Sequence, residues 1–498
     1  MEKTGISVGV SVFSLNNILD KFCQEEGFPI RGEKGEQKIR CLVIDCSGSL
    51  TVIFNIDWTW WTKDFTLAIK KAVEAEIGEN PNNILFFATH THTGIDAPKP
   101  IRDYRKNKDH WLITQMIQSI VELFRQAYNS RKPALIKVGS GIVDSISANS
   151  DEMDGDYEKN VYVIRIDDIN GDMICALVNF PCHPTLSRSA YYISGDFPTA
   201  METTVQKVYS NIPVFYINGA AGDMWPVHRR VSPDFENIPI DIYHQEKEKV
   251  DWAEVGRIGR ILGLEVCKVL AELEVAGQQM SVSNCLWFYT EWEKHPSGIL
   301  ISEPAFITKS QKVMLTKELE LTKEECDQKI KSIEQKIKQI QKEHPSPYEP
   351  RMYAPYLLRR EDSGSPLFDL MSLNAGLYYW KNKRGGISKN ENCVSSIANL
   401  CVIGISREVG IVCFAGEMFH ETAEAIRQQS PFKITMIFGY MATPGETTNG
   451  LYYLTTESKV SLGGLHSYNQ PKFEQEVACM AVKLLSDVSE EIQKTYGQ

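Results

Sequence analysis

The feature that most constrains this chain is an alternation. Short apolar runs rich in Val, Ile and Phe recur between longer stretches whose apolar residues fall at helical intervals. Arg40–Asp57 (RCLVIDCSGSLTVIFNID) places two β-branched runs about a Ser-Gly turn and predicts a hairpin. Lys63–Gly78 has helical spacing, and Asn80-Pro81-Asn82-Asn83 closes it before the apolar run Ile84–Ala88. The same reading predicts helices over His110–Tyr128, Phe197–Tyr209, Val255–Leu273 and about Phe419–Gln428, with strands over Ala134–Gly139, Val161–Ile166, Met173–Phe180 and Val214–Ile217. NLCVIGISREVGIVCFAG, from Asn399, reads as a second hairpin and Phe473–Glu491 as a final amphipathic helix. Strands and helices in alternation bury their apolar faces as layers, so the expected class is α/β, with layered mixed sheets flanked by helices. The charged stretch Leu315–Lys342, ended by His344-Pro345-Ser346-Pro347, marks Ile299–Gly386 as a helical insertion within one domain spanning residues 1–498.

Composition narrows the function. At 498 residues, 43% hydrophobic and 23% charged, the chain is an ordinary globular protein with room for a large core. A formal net charge of -11 opposes binding to a phosphate backbone, so no nucleic acid is expected as a partner. No apolar run reaches the ~20 residues needed to cross a bilayer. Met1–Gly5 does not open a secretory signal, and the twelve cysteines are scattered without a CxxC spacing. The expectation is a cytoplasmic protein with buried, reduced thiols.

Three strand ends carry chemistry. Ala88-Thr89-His90-Thr91-His92-Thr93-Gly94 follows an apolar strand, and a spacing of two in extended chain sets both imidazoles on one side. Neutral imidazole is a favoured zinc ligand, so the pair reads as half of a metal site or as two surface histidines. Thr93-Gly94-Ile95-Asp96 lacks the Asp and His that a metallo-β-lactamase pattern requires next, while an amidohydrolase barrel stays open as a weaker alternative. Asn179-Phe180-Pro181-Cys182-His183-Pro184-Thr185 ends a second strand and is followed by Ser194-Gly195-Asp196-Phe197-Pro198. Asn218-Gly219-Ala220-Ala221-Gly222-Asp223-Met224-Trp225-Pro226 ends a third; it reads as a turn whose amides face a substrate oxygen, or as a tight loop needing glycine.

Taken in order, ATHTHTG, VNFPCHPT with SGDFP, NGAAGD, FAGEMF and NGLYYLTT resemble the neutral/alkaline non-lysosomal ceramidase family over roughly Arg40–Leu286 and Asn399–Tyr468. The resemblance implies the catalytic-domain fold of that family and one zinc ion held by His90, His183, Glu417 and Tyr453. Glu417 is preferred to Glu446 of Pro444-Gly445-Glu446 because it keeps the motif order ahead of Tyr453. His92, beside the metal, is then the expected catalytic proton carrier. Trp225 stands where the family has a serine, no arginine follows Asn149, and the family's C-terminal immunoglobulin-like domain is not expected. A zinc hydrolase that is not a true ceramidase is therefore implied, cleaving an amide (N-acyl) bond of a small or amphiphilic substrate. An esterase or lactonase acting on a polar metabolite is the chemical alternative. A non-catalytic, metal-stabilised binding or assembly protein, with the inserted helices as its partner surface, is the alternative of another kind; the same insertion is where a homo-oligomer contact is expected.

Overall fold

The computed structural model describes residues 5–78, 83–150, 155–187, 189, 191–228, 240–278, 297–318, 322–343, 377, 380–381, 384, 393–442, 453–454 and 473–496. For 240–247, 313–318, 341, 393–398, 453–454 and 473 the description covers the backbone alone. A ten-stranded sheet runs in the order Val214–Asn218, Met173–Phe180, Asn160–Asp168, Lys132–Ile142, Ile6–Ser14, Lys38–Cys46, Ser49–Ile56, Asn83–Ala88, Met441–Ala442, with Ile299–Leu300 added on the 132–142 strand. A four-stranded sheet orders Ile307–Glu318, Cys393–Gly404, Val409–Phe414 and Ile434–Phe438. The expected hairpin at Arg40–Asp57 is present: Cys46 pairs with Ser49, and Ser47 and Gly48 take positive φ of 52° and 89°. Positive φ at both central residues is what a two-residue turn matching the sheet twist requires.

The apolar side chains sort into layers. Leu42, Ile44, Ile53, Ile136, Ile166 and Leu177 of the large sheet meet Ile403, Ile411, Met436 and Phe438 of the small one in a core between the two sheets. On its other face the large sheet is covered by the helices Asn16–Glu25, Lys63–Ile77 and Trp111–Asn129 along one part and by Asp196–Val208 and Ile240–Glu274 along another. Helices His420–Gln429 and Phe473–Tyr496 cover the outer face of the small sheet. The molecule is thus the layered, mixed α/β fold expected, with helices outside two face-packed sheets. Cys41, Cys175, Cys182, Cys401 and Cys413 are buried free thiols in these layers.

The segment from 299 departs from the expected helical insertion. Its first part is strand: Ile299–Leu300 joins the large sheet, and Ile307–Glu318 pairs in register with 393–404 along its whole length. Leu315 begins no helix; the helix runs Lys323–Glu343. Cross-strand pairing over twelve residues overrides the local helical spacing of Leu315–Glu318. Residues 344–376 lie outside the described residues.

What matters for the site is where three parallel pairs end. The strands 49–56 and 83–88, 173–180 and 214–218, and 409–414 and 434–438 are each parallel. The first two pairs occupy opposite ends of the large sheet, yet Asn55 Nδ2 donates to Tyr216 O at 3.1 Å, so the twisted sheet coils until its ends meet. Asn179 Nδ2 donates to Ile217 O at 2.9 Å and to Ile437 O at 2.8 Å, stitching the small sheet to the same place. The carboxyl ends of all three pairs therefore open on one spot, the usual place for a site in α/β sheets.

Candidate metal centre

His90 comes two residues after the 83–88 strand, where Thr89 N–H still donates to Ile56 O at 2.9 Å. The chain then turns sharply: His90 has φ 62° and is fully buried. A left-handed histidine is strained, and its neighbours hold it there. Its Nδ1–H donates to Thr59 O at 3.0 Å, which directs Nε2 inward as a lone-pair donor. His183, 1% exposed, follows the 173–180 strand; its backbone N–H and its Nδ1–H both donate to Met224 O, at 2.9 and 3.3 Å. Glu417, wholly buried after the 409–414 strand, presents Oε2 at 3.0 Å from His183 Nε2 and 3.6 Å from His90 Nε2. His92 Nε2 stands 3.0 Å from His90 Nε2, and His92 N–H donates to Pro184 O at 2.9 Å, tying the two histidine loops together.

Tyr453 is described by its backbone alone. The two-residue strand Tyr453–Leu454 pairs parallel with Glu417–Met418, and Tyr453 is in register with Glu417. Four residues far apart in sequence, His90, His183, Glu417 and Tyr453, are thus brought to one locus, with His92 beside them. Glu446 lies outside the described residues.

The donor set suits a cation. Burial holds the His90 imidazole down to about 4, against the opposing pull of Glu417, so the ring is neutral near pH 7. With Nδ1–H of each ring donating to a carbonyl, Nε2 of His90 and of His183 face Glu417 Oε2, all three residues being buried. A cation or a shared proton between these atoms offsets their mutual repulsion. His90, His92 and His183 together place ligand atoms within 4.8 Å of one another, a group able to hold a metal ion. His92, expected as a proton carrier, is by this geometry a candidate ligand as well.

A built shell fixes these loops. Asn218 Oδ1 accepts from Cys182 N–H at 3.2 Å and its Nδ2 donates to Thr89 O at 3.3 Å, so one side chain bridges the approaches to both buried histidines. Asp196, expected only as part of SGDFP, accepts from Leu186 N–H at 3.1 Å, from Phe197 N–H at 2.6 Å and from Thr93 Oγ1–H. Burial raises its carboxyl above the usual range despite those donors. Tyr440 stacks on His90 with ring centroids 4.2 Å apart, Trp60 meets His90 edge-on at 5.3 Å, and Trp225 lies 5.2 Å from His183. Trp60, Tyr440 and Thr59 are not among the residues expected from sequence, and Met224 is expected only as part of the turn 218–226. The run Trp58-Thr59-Trp60-Trp61 after the 49–56 strand was the available signal, since it shares a sheet edge with His90. In the turn 219–224 the Gly222 amide is not turned to a substrate oxygen: the amides of Gly219, Ala221, Gly222 and Met224 donate to Phe180, Gly219, Met418 and Ala221 carbonyls. Its glycines serve close packing instead. A Cβ at Gly222 would stand 2.8 Å from Glu417 O.

No protein-family model matches the chain. Neutral ceramidase B of Dictyostelium discoideum is 24% identical over 186 residues, a match spanning 32% of this chain and 25% of that protein. Among solved structures, neutral ceramidase from Pseudomonas aeruginosa superposes with a TM-score of 0.60 at 13% identity, over 98% of this chain and 75% of that one. A ceramidase complexed with C2 gives 0.59 at 13% identity, over 98% and 76%. With its mixed sheets, helical layers and strand-end histidines, the chain has the neutral ceramidase fold.

Proposed function

We propose that this chain is a zinc-dependent hydrolase that cleaves an amide (N-acyl) bond of a small or amphiphilic substrate. The observation that carries the reading is the convergence of His90 Nε2, His183 Nε2 and Glu417 Oε2 at the carboxyl ends of three parallel strand pairs. The fold shared with neutral ceramidase supports it. His90, His183, Glu417 and Tyr453 would hold the ion, which would supply Lewis acidity toward a carbonyl and toward water when bound. His92 is half-buried where His90, His183 and Glu417 are enclosed, which supports its imidazole as the carrier of a proton between the site and its mouth. Trp60 and Trp225 exclude water on either side of the histidine pair.

The test is a panel of N-acyl amides, esters and lactones, assayed with and without a chelator and after zinc is restored. Amide turnover that the chelator abolishes and zinc recovers is the expected result. Turnover indifferent to chelation would overturn the metal dependence. Ester or lactone turnover alone would reassign the bond.

A further inference from the structure

Asp223 closes the turn after the 214–218 strand and is wholly buried. Both of its carboxylate oxygens meet His420, which begins the helix 420–429. Oδ1 accepts the His420 backbone N–H at 3.0 Å, and Oδ2 lies 2.5 Å from His420 Nδ1. A helix start needs only the first of these contacts; the second fixes the ring as well. Asn149 Nδ2 approaches Asp223 Oδ2 at 3.5 Å, and Ser150 N–H donates to Asp223 O at 2.8 Å, so the acid is itself held in place.

The pair sits between two ligand supports. Met224, the next residue after Asp223, offers the carbonyl that takes both N–H groups of His183. Glu417 lies three residues before His420, and Gly222 N–H donates to Met418 O at 2.9 Å in the same seam. His183 is carried by the large sheet and Glu417 follows a strand of the small one, so their separation depends on what joins the two loops. We propose that Asp223 and His420 form a positioning pair that sets the spacing of His183 Nε2 and Glu417 Oε2 and so tunes metal affinity. The inference rests on the metal reading above. A second acid–imidazole pair, its acid buried and its ring partly exposed, serves as the control: His228 Nε2 lies 2.8 Å from Asp251 Oδ1 and joins residue 228 to the helix 240–274, which carries none of the ligands named above.

The experiment loads the full chain with cobalt(II) and compares wild type with Asp223→Asn, His420→Gln and Asp251→Asn. It records the visible d–d spectrum, the cobalt affinity and the thermal midpoint. Asp223→Asn and His420→Gln are expected to weaken cobalt binding about 10- to 100-fold, the usual effect of losing a partner that orients a ligand, and to shift the absorption bands. Asp251→Asn is expected to lower the midpoint with spectrum and affinity unchanged. Wild-type spectra and affinities in a folded Asp223→Asn or His420→Gln protein overturn the positioning role while leaving the metal site standing. If Asp223→Asn does not fold, His420→Gln, which keeps the backbone contact, decides. Wild type that takes up no cobalt overturns the metal reading and the positioning role together.

Discussion

At the scale of single residues, the histidines differ in how much of their role the sequence exposes. An HxH placed straight after an apolar strand is legible as a pair, but the extended-chain reason fails: His90 is left-handed, with φ 62°, and the turn there brings its Nε2 to 3.0 Å from His92 Nε2. His183 and Glu417 were legible only through the order of motifs, since neither has a diagnostic spacing of its own. Thr59 O and Met224 O, which fix the tautomers, leave no trace in a pattern of side chains. His90 makes a pH prediction. Its pKa falls from 6.5 to about 4 on burial, so the unfolded chain takes up this proton first as pH drops. The stability from a neutral His90 is complete above about pH 6.5 and is lost toward pH 4, on the order of 3 kcal/mol at its full extent. Denaturant titrations of the metal-free protein between pH 7 and 4 should show a falling midpoint that His90→Asn flattens. Equal pH dependence in the two proteins would count against a buried neutral ring.

At the scale of elements, most strands and helices were legible because period-two and helical spacings are local signals. The error at Leu315–Glu318 arose because its partner strand, 393–404, lies about 75 residues away and supplies the pairing that local spacing cannot report. The loops make the sharpest predictions. Replacing Asn218 with alanine removes an acceptor from Cys182 N–H and a donor from Thr89 O, both buried. A loss of about 2–4 kcal/mol is expected in chemical denaturation. At Gly222 a methyl group meets Glu417 O at 2.8 Å and Met418 O at 3.0 Å, backbone atoms that cannot swing aside. Gly222→Ala should therefore weaken metal binding more than it lowers the melting midpoint, as titration with zinc would measure. Undiminished affinity would mean that the loop yields without moving Glu417.

At the scale of the whole molecule, the layer class was legible from alternation, but the coiling that brings Asn55 to Tyr216 was not, because it follows from accumulated twist across many strands. The core between the sheets carries that geometry. Phe438, 1% exposed, meets Phe87 edge-on at 5.6 Å across the seam. Phe438→Ala should cost about 3–5 kcal/mol, whereas Leu264→Ala, at a site 60% exposed, should stay within about 0.5 kcal/mol. Among the described residues no helix is long and apolar enough to cross a membrane, and the assembled strand ends carry the functional reading. That reading depends on an ion held between residues drawn from both sheets. Elemental analysis of purified wild type beside His90→Ala and Glu417→Ala tests it most directly. About one zinc per chain is expected in wild type, with its loss from both variants and the fold retained. Wild type purified without chelator and free of metal, or metal content unchanged in both variants, would contradict it.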